Sequence, residues 1–355
     1  MPKPTQHICL NMIVKNERHV IERSLASVKG IISSWAIVDT GSEDGTQDCI
    51  RNYLTDIPGK LVERPWVNFA HNRTEALNYI HEDADYILIV DADEEIKFDK
   101  GFEFPTLNND CYYLQSRLNG MHYYRMQLVK YGIQWRWESK LHEYITADSH
   151  APPLVIEGIY DVPHPDGFRS SNPNKYKQDA ITLEQALLDE PDNHRYCFYL
   201  AQSYRDCGDL ELAIRYYTQR VRMEGWPEEV WYSLYQIALL KMKMGESWET
   251  VQMALLDAYN YRHQRTESLY SIITYYREKE AWPLAYSFAS QAIQVSYPND
   301  LLFIEPKAYG PPIWLEYAQA AQGMRYWEKA ISICNYILAS SKSCSASCSS
   351  LARTV

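Results

Sequence analysis

The chain has 355 residues, which is enough for two domains, and its hydrophobic content of 46% is ordinary for a globular protein. A net charge of -11 argues against a nucleic-acid partner, because a protein that binds the phosphate backbone presents a basic face. No apolar run approaches the roughly 20 residues of a membrane span, residues 1–7 lack a secretory signal, and the eight cysteines are scattered, so we expect a reduced, cytoplasmic protein without a transmembrane segment.

Strand and helix patterns alternate over the first quarter of the chain. In chain order, the patterns predict strands at 8–14, 35–39, 60–63 and 86–90, with helices at 17–28, 46–53 and 69–80 between them. This alternation predicts a parallel sheet covered by helices on both faces, and ligands of such sheets bind beyond the carboxyl ends of the strands. Further strand signals at 111–114, 126–129 and 154–156 predict a mixed continuation of the sheet.

The predicted strand at 86–90 ends in an acidic segment that contains Asp91 and Asp93. Side chains two positions apart in an extended segment point to the same side, so the two carboxylates converge. Two close carboxylates repel each other unless a cation lies between them, and hard oxygen ligands select Mg²⁺ or Mn²⁺. The simpler alternative is an acidic turn after a strand, and it is the neighbouring motifs that favour a metal site.

From about residue 175 onward the spacing is helical. Small and aromatic residues recur at the offsets of helix–turn–helix repeats, as at Ala201, Tyr204, Gly208, Ala213 and Tyr217, and again at Ala318, Ala321, Ala330 and Cys334. The period varies around the roughly 34 residues of a tetratricopeptide repeat, and an irregular helical bundle is the alternative. We therefore predict a sheet domain over 1–170, a repeat domain over 171–338 and a low-complexity, disordered tail over 339–355.

Four segments give the first half a resemblance to a known family. They are 12–17 (Met-Ile-Val-Lys-Asn-Glu), 39–46 (Asp-Thr-Gly-Ser-Glu-Asp-Gly-Thr), 68–73 (Asn-Phe-Ala-His-Asn-Arg) and 91–93 (Asp-Ala-Asp). In this order they make residues 7–165 similar to the family 2 glycosyltransferases of the GT-A fold. With its helical half, the chain resembles bacterial and viral glycosyltransferases with C-terminal tetratricopeptide-like repeats. The implied fold is a mixed α/β sheet sandwiched by helices, followed by an all-α repeat domain.

The resemblance implies a metal-dependent, inverting glycosyltransferase of the hexosyltransferase class, with a UDP-sugar as donor and Mn²⁺ or Mg²⁺ as cofactor. It assigns Asp93, together with Asp91, to the metal ion. The residues that it places at the nucleotide are Met12, Val14, Glu17, Asp39, Arg73 and Asp91. Asp39 suits the imide N–H of uracil as a lone acceptor. Glu17 also has a purely structural reading, because a carboxylate at a helix start is favourable without any ligand.

The aromatic segment 135–143 ends in His-Glu, as similar segments do in related repeat-bearing enzymes. Because an inverting transfer needs a carboxylate that takes the acceptor's proton, we assign Glu143 as the catalytic base, with Glu138 and then Asp148 as rivals. A late histidine commonly completes the metal site in this fold. His164 is our candidate for that ligand, and His142 competes with it.

The expected partners are the nucleotide-sugar donor and a protein, peptide or glycan acceptor, because repeat stacks present concave faces to peptides. The helical half is also the predicted contact for a homo-oligomer. Two other classes stay open. A sugar nucleotidyltransferase would need a Gly-rich, basic phosphate loop after the first strand, which 12–17 lacks. A repeat scaffold with an inactive transferase half would be favoured if the metal carboxylates were missing, and they are present.

Overall fold

The computed structural model of the protein describes residues 4–343. The chain divides into two compact units, the first ending at Asp209 and the second beginning at Leu210. The predicted boundary at residue 170 therefore marks where the long helices begin and not where the first unit ends. The last helix continues to Ser343 and includes the first residues of the predicted tail, whereas 344–355 lie outside the described residues.

The first unit contains the strands and five of the helices described below. The strands are β1 (Ile8–Val14), β2 (Ser34–Asp39), β3 (Gly59–Glu63), β4 (Tyr86–Ile89), β5 (Glu94–Phe98), β6 (Cys111–Leu118), β7 (Met121–Lys130), β8 (Arg136–Glu138), β9 (Tyr144–Thr146) and β10 (Leu154–Pro163). The helices are α1 (Ile21–Val28), α2 (Thr46–Tyr53), α3 (Phe69–Leu77), α4 (Lys175–Asp189) and α5 (His194–Cys207). A short 3-10 helix spans Phe168–Ser171.

Within residues 4–209, eight strands form one sheet in the order β3-β2-β1-β4-β7-β6-β10-β5. The first four strands of the chain are parallel to one another, while β7 pairs antiparallel with both β4 and β6, and β5 pairs antiparallel with β10. The predicted mixed sheet with flanking helices is thereby confirmed. A separate two-stranded sheet joins β8 to β9.

The central strands are buried on both faces, which explains their continuous apolar sequence. On one face, Leu10 and Ile37 belong to a core that includes Leu25 of α1 and Ile50 of α2. The other face of β1 places Cys9 in a second core. Each fully buried aliphatic side chain contributes about 1.5–3 kcal/mol, so these cores fix the strand ends that carry the site.

Local differences from the predicted elements have simple causes. Helix α1 begins at Ile21 and not at residue 17, because residues 17–20 form a turn in which Val20 N donates to the Glu17 carbonyl at 3.0 Å. Strand β5 was missed because its sequence continues the acidic segment, and β8 and β9 because each has only three residues.

The second unit is helical. Its helices are α6 (Leu210–Arg222), α7 (Pro227–Lys243), α8 (Trp248–Tyr261), α9 (Glu267–Glu278), α10 (Trp282–Ala292), α11 (Pro311–Gly323) and α12 (Trp327–Ser343). Consecutive helices pack against each other, and alanines such as Ala258, Ala289 and Ala321 are fully buried at these contacts. Small residues let paired helices approach closely, and stacking covers the apolar face of each pair. The predicted all-helical second half is confirmed. Among residues 4–343, no helix combines the length and apolar content that a membrane crossing requires.

Candidate active site

The carboxyl ends of β1, β2 and β4 meet at one edge of the sheet. Val14 and Asp39 are the last residues of β1 and β2 and lie side by side in the parallel register. The neighbouring strand β4 ends at Ile89, so the segment with Asp91 and Asp93 follows immediately beyond the same edge. The topology thus brings together the carboxylates that the sequence places at strand ends.

Asp39 is completely buried, and only one of its two carboxylate oxygens accepts hydrogen bonds from the described chain. Its Oδ1 accepts the backbone N–H groups of Gly41 at 2.9 Å and Ser42 at 2.8 Å. Gly41 has φ +103°, which is the left-handed conformation that this tight turn requires. No hydrogen-bond donor of the described chain reaches Oδ2. A buried polar atom without a partner costs about 1–3 kcal/mol, so this oxygen is suited to a donor from a ligand.

Arg73 links two of the predicted site residues. Asn68 caps helix α3 and accepts the His71 N–H, which holds Arg73 in the second turn. The Arg73 Nη2 lies 2.5 Å from Asp91 Oδ1, and its Nε lies 2.6 Å from Glu143 Oε1. The side chain is only 10% exposed, so both ion pairs are shielded from solvent. Arg73 therefore forms ion pairs both with Asp91, a predicted nucleotide contact, and with Glu143, the predicted base.

Asp91 is held by two cations. Burial alone would raise its pKa, but the charges of Arg73 and Arg125 outweigh that effect and hold the pKa of Asp91 below its ordinary value. Asp91 is thus an ionised, hydrogen-bonded carboxylate without the need for a metal ion. Its partners within the described chain are arginines and not a second metal ligand.

Asp93 is in the opposite situation. Burial first, and then the charge of Asp91, raises the pKa of Asp93 above its ordinary value. No ion pair with a Lys, Arg or His of residues 4–343 neutralises its carboxylate. Gly167 lies against this carboxylate, and a Cβ there would come within 2.6 Å of Asp93 Oδ2. An unpaired, partly desolvated carboxylate of this kind is suited to binding a cation.

The predicted metal ligands are not assembled as one cluster. In the part of the chain that the structure describes, no group of three or more His, Cys, Asp or Glu side chains is arranged to hold a metal ion. Asp91 is bound to arginines, and His164 Nε2 lies 3.3 Å from Glu95 Oε2, although the His164 backbone N–H donates to the Asp93 carbonyl. The residues present fit Mn²⁺ or Mg²⁺ as a site in which Asp93 is completed by substrate phosphates, an arrangement these ions commonly adopt.

Met12 and Val14, which the resemblance places at the nucleotide, belong to β1. The side chains of Met12 and Val14 are buried in the core, so neither lies open to a nucleotide. The carbonyl of Val14 is already occupied, because it accepts both the backbone N–H and the hydroxyl of Thr40. Any contact of these two residues with a ligand would have to use the remaining backbone atoms.

Glu17 connects this edge to the segment after β10. Both of its carboxylate oxygens accept the Phe168 backbone N–H, at 3.2 and 3.1 Å. Next to this contact, Arg23 forms two hydrogen bonds of 2.7 Å with the carboxylate of Asp166. These two contacts hold the segment that carries Gly167 against Asp93. Burial is the main cause that raises the pKa of Glu17 to about 7.

The raised pKa of Glu17 predicts a pH-dependent stability. The folded state binds this proton more tightly than the unfolded chain, whose ordinary value is 4.5, so the free energy of unfolding should fall as the pH rises from about 4.5 through 7. The loss is at most ~3 kcal/mol, and less where solvent screens the carboxylate. In urea unfolding, the stability of Glu17→Gln relative to the wild type should therefore increase between pH 5 and pH 8. Glu43→Gln, at an exposed position in the loop after β2, is the control. A pH-independent difference between Glu17→Gln and the wild type would contradict the assignment.

Geometry separates the three candidate bases. Glu143 has a side chain that is 12% exposed and faces Arg73 and, through it, Asp91. Glu138 and Asp148 are instead both bound to Arg136, at 2.8 and 2.6 Å. They belong to an ion-pair network on the β8–β9 sheet. His142, the rival metal ligand, stacks its ring on Tyr199 at 3.9 Å.

Arg125 is a residue of this region that the sequence analysis missed. From β7, its Nη1 lies 3.7 Å from Asp91 Oδ2, and the same guanidinium pairs with the buried carboxylates of Glu94 and Asp161. Burial raises the pKa of Glu94 to about 8, although Arg125 opposes this shift. In the sequence, Arg125 stands directly before the predicted strand at 126–129, and nothing linked it to Asp91.

Residues 9–101 match the sequence model of glycosyl transferase family 2. Together with the mixed sheet and the carboxylates at its edge, this match shows a glycosyl transferase family 2 domain over residues 9–101 of the first unit, and a helical unit follows.

The chain is similar both to a repeat-containing protein and to glycosyltransferases. The chain is 25% identical to a TPR repeat-containing protein of Synechococcus elongatus over 81% of this chain and 75% of the relative. It is 32% identical to an uncharacterized glycosyltransferase of Rickettsia bellii, over 30% of this chain and 36% of that protein. It is 25% identical to the SPbeta prophage-derived glycosyltransferase SunS of Bacillus subtilis, over 60% of this chain and 52% of that protein. The matches thus span about a third and about half of these two glycosyltransferases.

Among solved structures, MamA superposes with a TM-score of 0.36 and 15% identity, over 48% of this chain and 91% of that chain. YrrB, a TPR protein, superposes with a TM-score of 0.34 and 11% identity, over 46% of this chain and 77% of that chain.

Proposed function

We propose that the protein is a metal-dependent, inverting glycosyltransferase that moves a hexose from a UDP-sugar to a nucleophile on an acceptor. One observation carries the proposal. Among residues 4–343, one edge of the large sheet holds an Asp39 oxygen without a hydrogen-bond partner and an Asp93 carboxylate without an ion pair, and Arg73 links the shielded carboxylate of Glu143 to Asp91 at this edge. These three groups match the three needs of the reaction, which are a nucleotide base contact, charge compensation at the diphosphate and a proton acceptor.

Donor binding is assigned to the first two groups. The Asp39 Oδ2 would accept the imide N–H of uracil, and Asp93 would hold the cation with the donor's diphosphate. A bound Mn²⁺ or Mg²⁺ would neutralise the charge that develops on the departing diphosphate. Arg73 fixes the ionised Asp91 beside this position, which keeps the carboxylate oriented before the donor arrives. Asp91, Glu17 and His164 would contribute around the ribose and the ion.

Transfer is assigned to Glu143. The acceptor's nucleophile would form a bond to the anomeric carbon while the bond from that carbon to the diphosphate oxygen breaks, and the electron pair would leave with UDP. Glu143 would take the proton of the nucleophile, as a general base does. Its ion pair with Arg73 supports this role by holding the carboxylate in one orientation.

Asp39→Asn tests the base contact. The amide oxygen can still accept from Gly41 and Ser42, while the amide nitrogen would present a donor to the uracil N–H. We expect UDP affinity to fall by about 10- to 100-fold, the range of one unmatched buried hydrogen bond, and the preference to shift toward CDP, whose cytosine ring offers an acceptor at that position. Calorimetric titration with UDP and CDP measures both, and an unchanged ratio of the two affinities would remove Asp39 from the base site.

The activity itself is tested with Mn²⁺ and a panel of sugar nucleotides. Slow, Mn²⁺-dependent release of UDP from one UDP-sugar supports the proposal. Pyrophosphate formed from UTP and a sugar phosphate would instead identify a nucleotidyltransferase. Absence of turnover together with absence of Mn²⁺-dependent nucleotide binding would leave a repeat scaffold with an inactive domain.

The acceptor is proposed to be a protein, a peptide or a glycan. The stacked helix pairs of the second unit support a macromolecular acceptor, because such stacks present extended surfaces to partners, and they also offer a surface for homo-oligomer formation. Reaction of a native lysate with a radiolabelled or isotope-labelled donor, followed by mass spectrometry, would identify the acceptor. We propose a cytoplasmic location for this reaction.

A further inference from the structure

The loop at 139–143 joins β8 to β9 and ends at Glu143. Its backbone is unusual, because Ser139 has φ 85° and His142 has φ 52°, and neither is glycine. Left-handed conformations at such residues persist only where surrounding contacts hold them. The contacts that hold this loop therefore decide where the Glu143 carboxylate lies.

Helix α5 supplies the nearest of these contacts. The Nε and Nη2 atoms of Arg195 both donate to the carbonyl of His142, at 3.0 and 2.7 Å. The guanidinium also lies over the ring of Tyr144, 5.1 Å from its centroid. Arg195 thus contacts the residue before Glu143 and the residue after it.

Aromatic stacking reinforces this contact. The His142 ring lies on the Tyr199 ring with a centroid distance of 3.9 Å and an interplanar angle of 10°. Tyr199 is one turn after Arg195 on α5, and the Arg195 guanidinium lies 4.8 Å from its ring centroid. Residues four apart share a helix face, so one face of α5 holds the His142 backbone and its side chain together.

The other end of the loop, at Lys140, is also held by contacts with α4 and α5. The Lys140 backbone N–H donates to the hydroxyl of Tyr196 at 3.3 Å, and Tyr196 is itself buried. The Lys140 ammonium pairs with Asp189 at the end of α4, at 2.8 Å. Both α4 and α5 belong to the first compact unit, which accords with their hold on this loop.

We infer that Arg195 and Tyr199 are positioning residues for the transfer reaction, which hold the 139–143 loop so that Glu143 faces Arg73 and the acceptor. The inference rests on the proposed role of Glu143 as base. The Glu143 backbone N–H is part of the same peptide group as the carbonyl that Arg195 binds, so a displaced carbonyl moves the Glu143 backbone with it. A displacement of about 1 Å at a catalytic group lowers the rate by about 10²-fold.

The test compares Arg195→Ala, Arg195→Lys and Tyr199→Leu with Arg205→Ala. The control removes the same charge from the same helix, ten residues and about 15 Å further along. For Arg195→Ala we expect kcat for hydrolysis of the preferred UDP-sugar to fall by about 10²-fold, while Mn²⁺-dependent UDP affinity stays the same. Arg195→Lys keeps the charge but has one donor nitrogen in place of two, so its kcat should be intermediate. Tyr199→Leu should resemble Arg195→Ala. Arg205→Ala should behave like the wild type.

Hydrogen–deuterium exchange at 139–144 gives a readout that does not need turnover. We expect faster exchange in Arg195→Ala and Tyr199→Leu, but not in Arg205→Ala. Wild-type kcat in Arg195→Ala, or an equal loss of UDP affinity and kcat, would overturn the inference. If the wild type itself turns over no sugar nucleotide, the proposed function fails, and unchanged exchange in both variants would then reject the loop contact separately. If Arg195→Ala is not obtained folded, Tyr199→Leu and Arg195→Lys carry the same comparison.

Discussion

Glu143→Gln is expected to lose sugar transfer while it keeps donor binding. The glutamine has nearly the same volume, and its amide oxygen can still accept from Arg73 Nε, so the loop should stay in place. It has no basic oxygen to take the acceptor's proton. General-base catalysis contributes about 10²–10⁴-fold, and kcat should fall by that factor. Steady-state release of UDP in the presence of acceptor, together with calorimetric binding of UDP and Mn²⁺, separates the two effects.

Glu138→Gln is the matched control for this substitution. It makes the same chemical change five residues earlier, at a carboxylate that binds Arg136 and Tyr144 and does not face Arg73. Its kcat should stay within about twofold of the wild type, since changes away from the reacting groups have small effects. Normal turnover in Glu143→Gln with loss of turnover in Glu138→Gln would exchange the two roles.

Asp93→Asn is expected to lose metal-dependent donor binding without loss of the fold. The variant keeps the shape of the side chain but removes the charge that would hold the cation with the diphosphate. UDP affinity in Mn²⁺ should fall by about 2 kcal/mol or more, roughly 30-fold, and should become insensitive to the metal. Because burial and Asp91 already disfavour the Asp93 anion, the free energy of unfolding should stay the same or rise.

The control for Asp93→Asn is Asp99→Asn, which removes a carboxylate from an exposed position after β5. Calorimetric titration of UDP with Mn²⁺ and with EDTA gives the metal-dependent part of the affinity for both variants. If Asp93→Asn binds UDP as tightly as the wild type in Mn²⁺, the cation is held elsewhere. The metal assignment to this sheet edge would then be withdrawn.

The sequence was sufficient to predict the sheet and the edge at which the candidate residues lie. The central strands are continuous apolar runs because both of their faces are buried, so β1 was predicted with its observed bounds. Residues at the ends of parallel strands meet at one edge, which is why Asp39 and Asp91 were predicted, and are found, at the same edge of the sheet. These predictions depend on local pattern and on a general rule of topology.

The local sequence pattern could not predict which residues the candidate site residues contact. Glu143 contacts Arg73 from 70 positions further along the chain, and Arg125 contacts Asp91 from β7. The motif with Asp91 and Asp93 suggested two metal ligands, but arginines pair with Asp91, whereas Asp93 forms no ion pair within residues 4–343. Which of two similar acids is neutralised by the protein depends on packing between distant segments, and spacing alone does not contain that information.

The end of the first compact unit at residue 209 limits where modules of this architecture can be joined. A hybrid that fuses the first 170 residues to a foreign repeat array would discard Asp189, Arg195 and Tyr199, and with them the supports of the 139–143 loop. A junction after residue 209 retains all of them. Recombination between related proteins should therefore keep α4 and α5 together with the sheet of the first unit and vary the helices that follow.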